Sequence, residues 1–285
     1  MKIGIICKND KGIPIFDSIR WIYGELKRRN IETVVSTIDK IKINYSNKFE
    51  YSFNGKEIDL CLFWDTSRRY ESIMILKELE YLGIPTLNCS EALSKSSNKH
   101  FSYLEMVKNG IEVPKTYFIN SYQNALNVLE AVEFPLVLKP LYGLKGVGMK
   151  KFDNLKEAKK SLKEEKYPLL FQEFIEKENN RDLRVYVVGG SPIAGMYRYS
   201  KDWITNISRG GRAEIIDTLP SEVKDISMKA ASVMGLEIAA VDIFETKSGY
   251  LSCETNDVPG FVALKELGVD LEKDIVDYMI DKIKK

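Results

Sequence analysis

Residues 238–256 read IAAVDIFETKSGYLSCETN, a pattern that sets the architecture of the C-terminal part of this chain. Two apolar segments rich in strand-forming residues, Ile238–Glu245 and Tyr250–Asn256, flank the polar turn Thr246–Gly249. A short turn that ends in glycine between two such runs is typical of a β-hairpin. We therefore predict two adjacent antiparallel strands.

Three oxygen-bearing side chains converge on this predicted hairpin. The turn places Asp242 roughly opposite Glu254, and Asn256 shares the face of Glu254 because side chains two residues apart on a strand point the same way. Two carboxylates and an amide oxygen suit Mg²⁺, which keeps part of its shell for water and phosphate. We predict a metal site that serves a nucleotide; the alternative is three solvated polar side chains.

Composition and charge exclude several classes of function. The 285 residues, 44% hydrophobic and 29% charged, suffice for two or three globular subdomains. A net charge of +1 provides no global field for nucleic acid or an anionic membrane. No apolar run approaches the roughly 18 residues of a membrane span, and Met1–Cys7 is too short for a signal peptide. The dispersed cysteines predict reduced, buried thiols and a cytoplasmic location; they are Cys7, Cys61, Cys89 and Cys253.

Residues 1–94 alternate strand and helix patterns, which predicts a small open parallel α/β sheet. Predicted strands are Ile3–Cys7, Glu32–Ser36, Asp59–Trp64 and Ile84–Leu87, with helices at Phe16–Arg29 and Tyr70–Leu82. Such sheets bind ligands beyond the carboxyl ends of their strands, so Arg68 is a candidate substrate contact. The alternative is that Arg68 is a solvent-exposed residue at the start of a helix and contacts no substrate. Residues 37–58 are polar and read as irregular.

The pattern of residues 115–175 predicts a compact α+β lobe with a glycine loop, preceded by a helix from Ser90 to Asn109. Residues 141–148 read LYGLKGVG and follow an apolar strand that ends in a lysine. Glycines let backbone N–H groups approach a polyphosphate closely, and lysines supply charge. The residues concerned are Gly143, Gly146, Gly148, Lys139 and Lys145. The glycine spacing matches neither a Walker A loop nor the dinucleotide fingerprint. The alternative is that this loop is a glycine-rich hairpin tip that binds no nucleotide.

Residues 176–285 concentrate the arginines of the chain. Five of the ten lie within about thirty residues, namely Arg181, Arg184, Arg198, Arg209 and Arg212. Because arginine binds carboxylate or phosphate through paired N–H groups, this cluster favours an anionic substrate close to the metal. Arg181 and Arg212 are expected to pair with surface carboxylates instead. Further strands are expected at Leu183–Val188 and Pro192–Arg198, and helices at Ser221–Met234 and Leu271–Ile283.

Taken in order along residues 1–285, these motifs resemble the ATP-grasp fold, in its RimK-like branch of carboxylate-amine ligases. The series comprises Lys99, Lys139, the glycine loop, Gln172–Ile175, Arg181–Arg184, Arg209–Gly211, Val241–Asp242 and Glu254–Asn256. Each motif is weak singly, but the ordered set is hard to obtain otherwise. The resemblance implies an N-terminal open parallel α/β domain, a small central α+β lid lobe over residues 95–175 and a C-terminal α+β metal-binding lobe over residues 176–285.

The resemblance also implies roles for individual residues. ATP would be bound by Lys99, Lys139, Gly143, Lys145, Gly146, Gly148, Gln172, Glu173, Phe174, Ile175 and Asp182. Mg²⁺, with Mn²⁺ as a substitute, would be held by Asp242, Glu254 and Asn256. The acyl phosphate and substrate carboxylates would face Arg184, Arg198, Asn206 and Arg209, and further substrate contacts would come from Arg68, Gly210 and Gly211.

The implied reaction phosphorylates a carboxylate with ATP, after which an amine attacks the acyl phosphate to form an amide. Positioning and charge neutralisation suffice for this chemistry, which agrees with the lack of a Ser-His or Cys-His pair. The single histidine, His100, is interpreted as structural or as a surface residue.

Three functions stay open at this point. Residues 256–261, NDVPGF, resemble family members that add L-glutamate to a protein or a coenzyme, and this resemblance implies L-glutamate as the amine. Residues 197–206, together with Arg209–Gly211, resemble a LysX-like ligase that joins an amino acid such as α-aminoadipate to a carrier protein. An ATP-binding module that phosphorylates or senses without ligating is the third. No nucleic-acid or membrane partner is expected, and a homo-oligomer is compatible with the resemblance.

Overall fold

The structure is a computed structural model, and it describes residues 1–45, 49–53, 55–67, 69–143, 146–200, 202–205 and 210–284. Four predicted site residues, Arg68, Lys145, Asn206 and Arg209, lie outside the described residues.

The N-terminal part forms the predicted parallel sheet, with strand order β4-β1-β7-β8. Its central strands are apolar on both faces because helices and loops cover both sides, as in other parallel sheets. The elements are β1 (Lys2–Cys7), β2 (Asn9–Asp10), β3 (Ile13–Pro14), α1 (Asp17–Arg28), β4 (Glu32–Ser36), β5 (Ile41–Tyr45), β6 (Phe49–Phe53), β7 (Leu60–Trp64), α2 (Arg69–Tyr81) and β8 (Thr86–Leu87).

Two local predictions were wrong in this region. Residues 37–58, expected to be irregular, contain the antiparallel hairpin β5-β6, whose Ile41 and Phe53 are buried against the parallel sheet. The single helix expected from Ser90 to Asn109 is two helices, α3 (Ser90–Ser97) and α4 (Lys99–Lys108). The break occurs at Asn98 because its side-chain oxygen accepts hydrogen bonds from two backbone N–H groups and caps the second helix.

The central lobe is an antiparallel sheet with strand order β11-β10-β12-β9, covered by two short helices. Ser121 and Asn154 start those helices by accepting a hydrogen bond from the backbone N–H three residues ahead. The elements are β9 (Thr116–Ile119), α5 (Tyr122–Leu129), β10 (Leu136–Pro140), β11 (Lys150–Phe152), α6 (Leu155–Ser161) and β12 (Leu169–Glu173).

The C-terminal lobe is a five-stranded antiparallel sheet with strand order β15-β14-β13-β16-β17. The predicted hairpin is confirmed, since Asp242 pairs with Glu254 across β16-β17 and a bulge follows directly. The strand β15 (Arg212–Ile215) and the helix α8 (Val262–Glu266) were not predicted from the sequence. The elements are β13 (Arg181–Val188), β14 (Ser191–Tyr199), β15 (Arg212–Ile215), α7 (Ser221–Met234), β16 (Ile238–Thr246), β17 (Gly249–Asn256), α8 (Val262–Glu266) and α9 (Leu271–Lys284).

Two shared cores bind these parts together. In the first, α1 and β1 pack with α9 and strands of the C-terminal sheet. In the second, Tyr103 and Met106 of α4 pack with α7 and the same sheet. The domain boundaries at residues 94 and 175 stay predictions. No helix within the described ranges is long and apolar enough to cross a membrane.

Candidate functional site

A cleft of about 620 Å³ lies between the central sheet, the C-terminal sheet and the start of α4. It brings together most of the predicted site residues, although they come from positions 99 to 256. Those that line it are Lys99, Lys139, Gly143, Gly146, Gln172, Glu173, Phe174, Ile175, Asp182, Arg184, Arg198, Asp242, Glu254 and Asn256. Gly148, Gly210 and Gly211 are described but do not line the cleft.

One end of the cleft is an apolar slot beside the segment 172–175. Val137 and Gln172 are directly paired across β10-β12, and Met149 and Phe244 add apolar surface. The Gln172 side chain faces inward and donates to Tyr103 Oη at 2.9 Å and to Thr116 Oγ1 at 2.8 Å. Glu173, Phe174 and Ile175 also line this slot, which has the shape and apolar surface that suit a flat heterocycle.

Two lysines enter the middle of the cleft. Lys139 is buried, with Nζ 3.3 Å from Tyr103 Oη and 3.9 Å from Cys253 Sγ, and it makes no ion pair within the described part of the chain. Lys99 Nζ donates to Glu254 Oε1 at 2.7 Å and to the Gly143 carbonyl at 3.4 Å. Burial lowers the pKa of Lys99, but Glu254 outweighs it and holds that pKa above its usual value.

Asp242 is held by two arginines from neighbouring strands. Arg184 binds it through two hydrogen bonds of 2.7 and 2.8 Å, and Arg198 Nη2 lies 3.1 Å from Asp242 Oδ2. Burial would raise the pKa of Asp242, but the two guanidinium groups outweigh burial and lower that pKa to about 2. Asp242 therefore stays ionised at any physiological pH.

The donor set at the hairpin fits Mg²⁺. Asp242 and Glu254 are opposite one another, and Asn256 Nδ2 donates to the Ala240 carbonyl at 3.3 Å, which orients the amide. Across the described ranges no three His, Cys, Asp or Glu side chains cluster as a metal site, so a metal here needs the amide oxygen and non-protein ligands. Magnesium commonly binds in this way, with few carboxylates plus water and phosphate.

Arg198 connects to a second carboxylate deeper in the cleft. Its Nε donates to Asp182 Oδ1 at 2.7 Å, and the Thr205 hydroxyl makes a short hydrogen bond to Asp182 Oδ2. All three side chains are buried. The two arginines and two aspartates thus form one neutralised network.

Two further predictions about arginine are confirmed by ion pairs. Arg181 bonds Glu245 at 2.7 Å, Arg212 bonds Glu214 at 3.1 Å, and neither arginine lines the cleft. His100 stacks on Phe118 at 4.2 Å between ring centroids, which agrees with a structural role. None of the four cysteines forms a disulfide.

Several residues of the cleft escaped sequence reasoning, notably Lys177, Trp203, Thr205 and Phe244. Lys177 lies in a polar, irregular segment where an exposed lysine is the usual expectation. Phe244 follows Asp242 by two residues and so shares its face of the strand, which is a signal that alternation along β16 offers.

Comparison with known proteins places the chain among ligases. A family model described as the RimK-like ATP-grasp domain matches residues 96–279. The tetrahydromethanopterin:alpha-L-glutamate ligase of Methanocaldococcus jannaschii is 30% identical over 296 residues, covering 99% of this chain and 98% of that protein. A "Probable alpha-L-glutamate ligase" of Pseudomonas savastanoi pv. phaseolicola is 28% identical and covers 100% and 96%. The solved ATP-grasp ligase PsnB, in complex with a minimal precursor, Mg and ADP, superposes with a TM-score of 0.75 at 18% identity over 99% and 97% of the two chains.

Proposed function

The chain belongs to the RimK-like ATP-grasp family and is an ATP-grasp ligase, and we propose that it joins L-glutamate to a substrate carboxylate through an acyl phosphate. The observation that supports this most is the cleft itself, in which the buried Lys139, which makes no ion pair among the described residues, lies near the paired Asp242 and Glu254. A buried cation that lacks a protein anion favours an anionic ligand.

Different residues of the cleft bind different parts of the substrates. The slot beside residues 172–175 takes the adenine, and Lys139 and Lys99 neutralise the phosphates. A carboxylate oxygen of the acceptor attacks the terminal phosphorus, and the bond to ADP breaks. The amine nitrogen then attacks the acyl carbon, phosphate leaves, and the nitrogen loses a proton to form the amide. Arg184 and Arg198 act through Asp242 and Asp182, the carboxylates that they hold in the cleft.

Asp242, Glu254 and Asn256 are the residues that would hold Mg²⁺. A bound Mg²⁺ would offset phosphate charge and orient the terminal phosphate. Glu254 is 36% exposed, and Lys99 bonds only its Oε1, so the carboxylate can reach a metal ion while Lys99 stays beside the phosphates. Arg184 and Arg198 engage both carboxylate oxygens of Asp242, so a metal ion would share this carboxylate with them.

Support for glutamate comes from the curated relatives, two of which carry alpha-L-glutamate ligase in their names. Within the described ranges Arg184 and Arg198 are already paired with aspartates, so recognition of two substrate carboxylates falls to Arg68, Asn206 and Arg209, which stay predictions. A peptide or protein tail as acceptor is the second candidate, because PsnB was solved with a precursor. A LysX-like specificity is one form of this candidate.

A panel of amino acids tests this function. The purified protein is incubated with Mg-ATP and an acceptor, either a peptide ending in glutamate or a glutamate-free pterin coenzyme. We expect sustained ADP release only with L-glutamate and one acceptor together, with a matching amide product. ADP release that is independent of any amine would instead identify an ATP-binding module that phosphorylates without ligating.

The glycine loop gives a separate prediction, since lids that exclude water order around the bound nucleotide. On addition of Mg-ATP, backbone amides of residues 141–143 and 146–149 should exchange with heavy water at least about tenfold more slowly. The amides of α5, on the outer side of the same lobe, serve as the internal control and should not change. Equal exchange with and without nucleotide would remove the lid role.

A further inference from the structure

Lys177 takes an unusual place for a lysine with two exposed glutamates beside it in the sequence. Its side chain lines the cleft instead of pairing with Glu176 or Glu178. Nζ donates to the Trp203 carbonyl at 2.7 Å and to Thr205 Oγ1 at 3.2 Å, and it lies 5.8 Å from the centre of the Phe244 ring. Across the described ranges it makes no ion pair.

This arrangement costs solvation of the ammonium. Burial lowers the pKa of Lys177, although the more distant Asp182 partly opposes that effect. The ammonium of a surface lysine usually stays in water. The desolvation of Lys177 is therefore unfavourable unless its two hydrogen bonds stabilise another part of the protein. Both of them end on the short segment Trp203–Thr205, which has no regular secondary structure to hold it.

The segment Trp203–Thr205 touches both ends of the cleft. The Trp203 ring meets the Phe174 ring edge-on at 6.3 Å, beside the nucleotide slot. The Thr205 hydroxyl bonds Asp182, which in turn accepts a hydrogen bond from Arg198 Nε. Lys177 therefore lies at the start of a chain of contacts that reaches Arg198 and, through it, Asp242.

We propose that Lys177 is a positioning residue for the ligase reaction, which fixes Trp203–Thr205 so that Thr205 and Asp182 hold Arg198 against Asp242. Asn206 and Arg209 follow this segment directly in the sequence. The inference rests on the proposed function only for its catalytic readout, since the order of Trp203–Thr205 can be measured without any reaction.

Lys177→Met tests this role because it keeps the length of the side chain and removes every donor. We expect amide exchange of residues 203–205 to accelerate at least about tenfold in the free protein. The kcat for ADP release should fall about ten- to hundredfold while the KM for ATP changes less than about threefold, because misplaced groups slow the chemical step. Thr205→Val should reproduce both effects. Thr205→Ser, which keeps the hydroxyl group, should show the exchange rate and kcat of the wild type.

Lys151→Met is the matched control. Lys151 also lies against an aromatic ring, because its Nζ is 4.4 Å from the centre of the Phe174 ring. Unlike Lys177, it pairs with Asp153 and does not line the cleft. It should leave exchange at residues 203–205 and kcat near wild type. The double variant Lys177→Met with Thr205→Val should be no worse than the poorer single variant, as expected for one chain of contacts.

Two results would overturn the inference. The first is an exchange rate and kcat in Lys177→Met that match those of Lys151→Met. The second is a rise in the KM for ATP as large as the fall in kcat, which would make Lys177 a direct nucleotide ligand. If the wild-type protein forms no amide with any amine, the proposed function fails, and exchange at residues 203–205 still decides the role of Lys177.

Discussion

Glu254→Gln should reduce kcat by about 100- to 1000-fold, the rate equivalent of the several kcal/mol that a metal supplies to charge stabilisation. The amide keeps the size of the side chain but loses the negative charge that attracts the metal ion. Stability should change by less than about 1 kcal/mol, because the ion pair of Glu254 with Lys99 is partly exposed. Steady-state kinetics and thermal unfolding give the two readouts.

Glu245→Gln is the control on the same hairpin. Glu245 binds Arg181 at 2.7 Å and does not line the cleft. Its loss should leave kcat within about twofold of wild type, as is usual for a change away from the reacting groups. Full activity of Glu254→Gln, or an equal loss in both variants, would contradict the metal site.

Lys139→Met should raise the KM for ATP by about 10- to 100-fold, because a charge-assisted hydrogen bond contributes about 1.5–3 kcal/mol. The folded protein should unfold at the same temperature or higher. Removal of the buried ammonium relieves its desolvation cost, which offsets the lost hydrogen bond to Tyr103 and the lost attraction to Glu254. Equilibrium binding of a non-hydrolysable ATP analogue measures the change in nucleotide affinity, and thermal unfolding measures the change in stability.

Lys151→Met again supplies the comparison, since Lys151 is an ion-paired lysine of the same lobe outside the cleft. Its KM for ATP should stay near that of the wild type. A large loss of stability in Lys139→Met with unchanged nucleotide affinity would show that Lys139 supports the core and not the phosphates.

The hairpin β16-β17 was predictable because a local turn fixes its register, and register alone places Asp242 opposite Glu254. The strands of the N-terminal sheet were predicted from the same kind of local pattern, but their order in the sheet was not. The β5-β6 hairpin was missed because its polar, exposed positions obscure the alternation that marks a strand. Asn98 divided a predicted helix because a capping side chain outweighed continuous helical spacing.

The partners of the arginines could not be predicted from sequence. Arg184 binds Asp242 across 58 positions, and this contact exists only because β13 and β16 are neighbours in the sheet. The same holds for Lys177, whose partners lie 26 and 28 residues away in an irregular segment. Residue type indicated that anions would be bound here, but only the fold shows which carboxylates already occupy the guanidinium groups.

The fate of a heavy-oxygen label tests the acyl phosphate most directly. The acceptor carboxylate carries the label, and the complete reaction contains Mg-ATP and L-glutamate. We predict ADP, an amide, and one labelled oxygen in the released phosphate, because the attacking carboxylate oxygen leaves with the phosphoryl group. Release of AMP that carries the label would show an adenylate route instead and would contradict the ADP-forming mechanism proposed for this cleft.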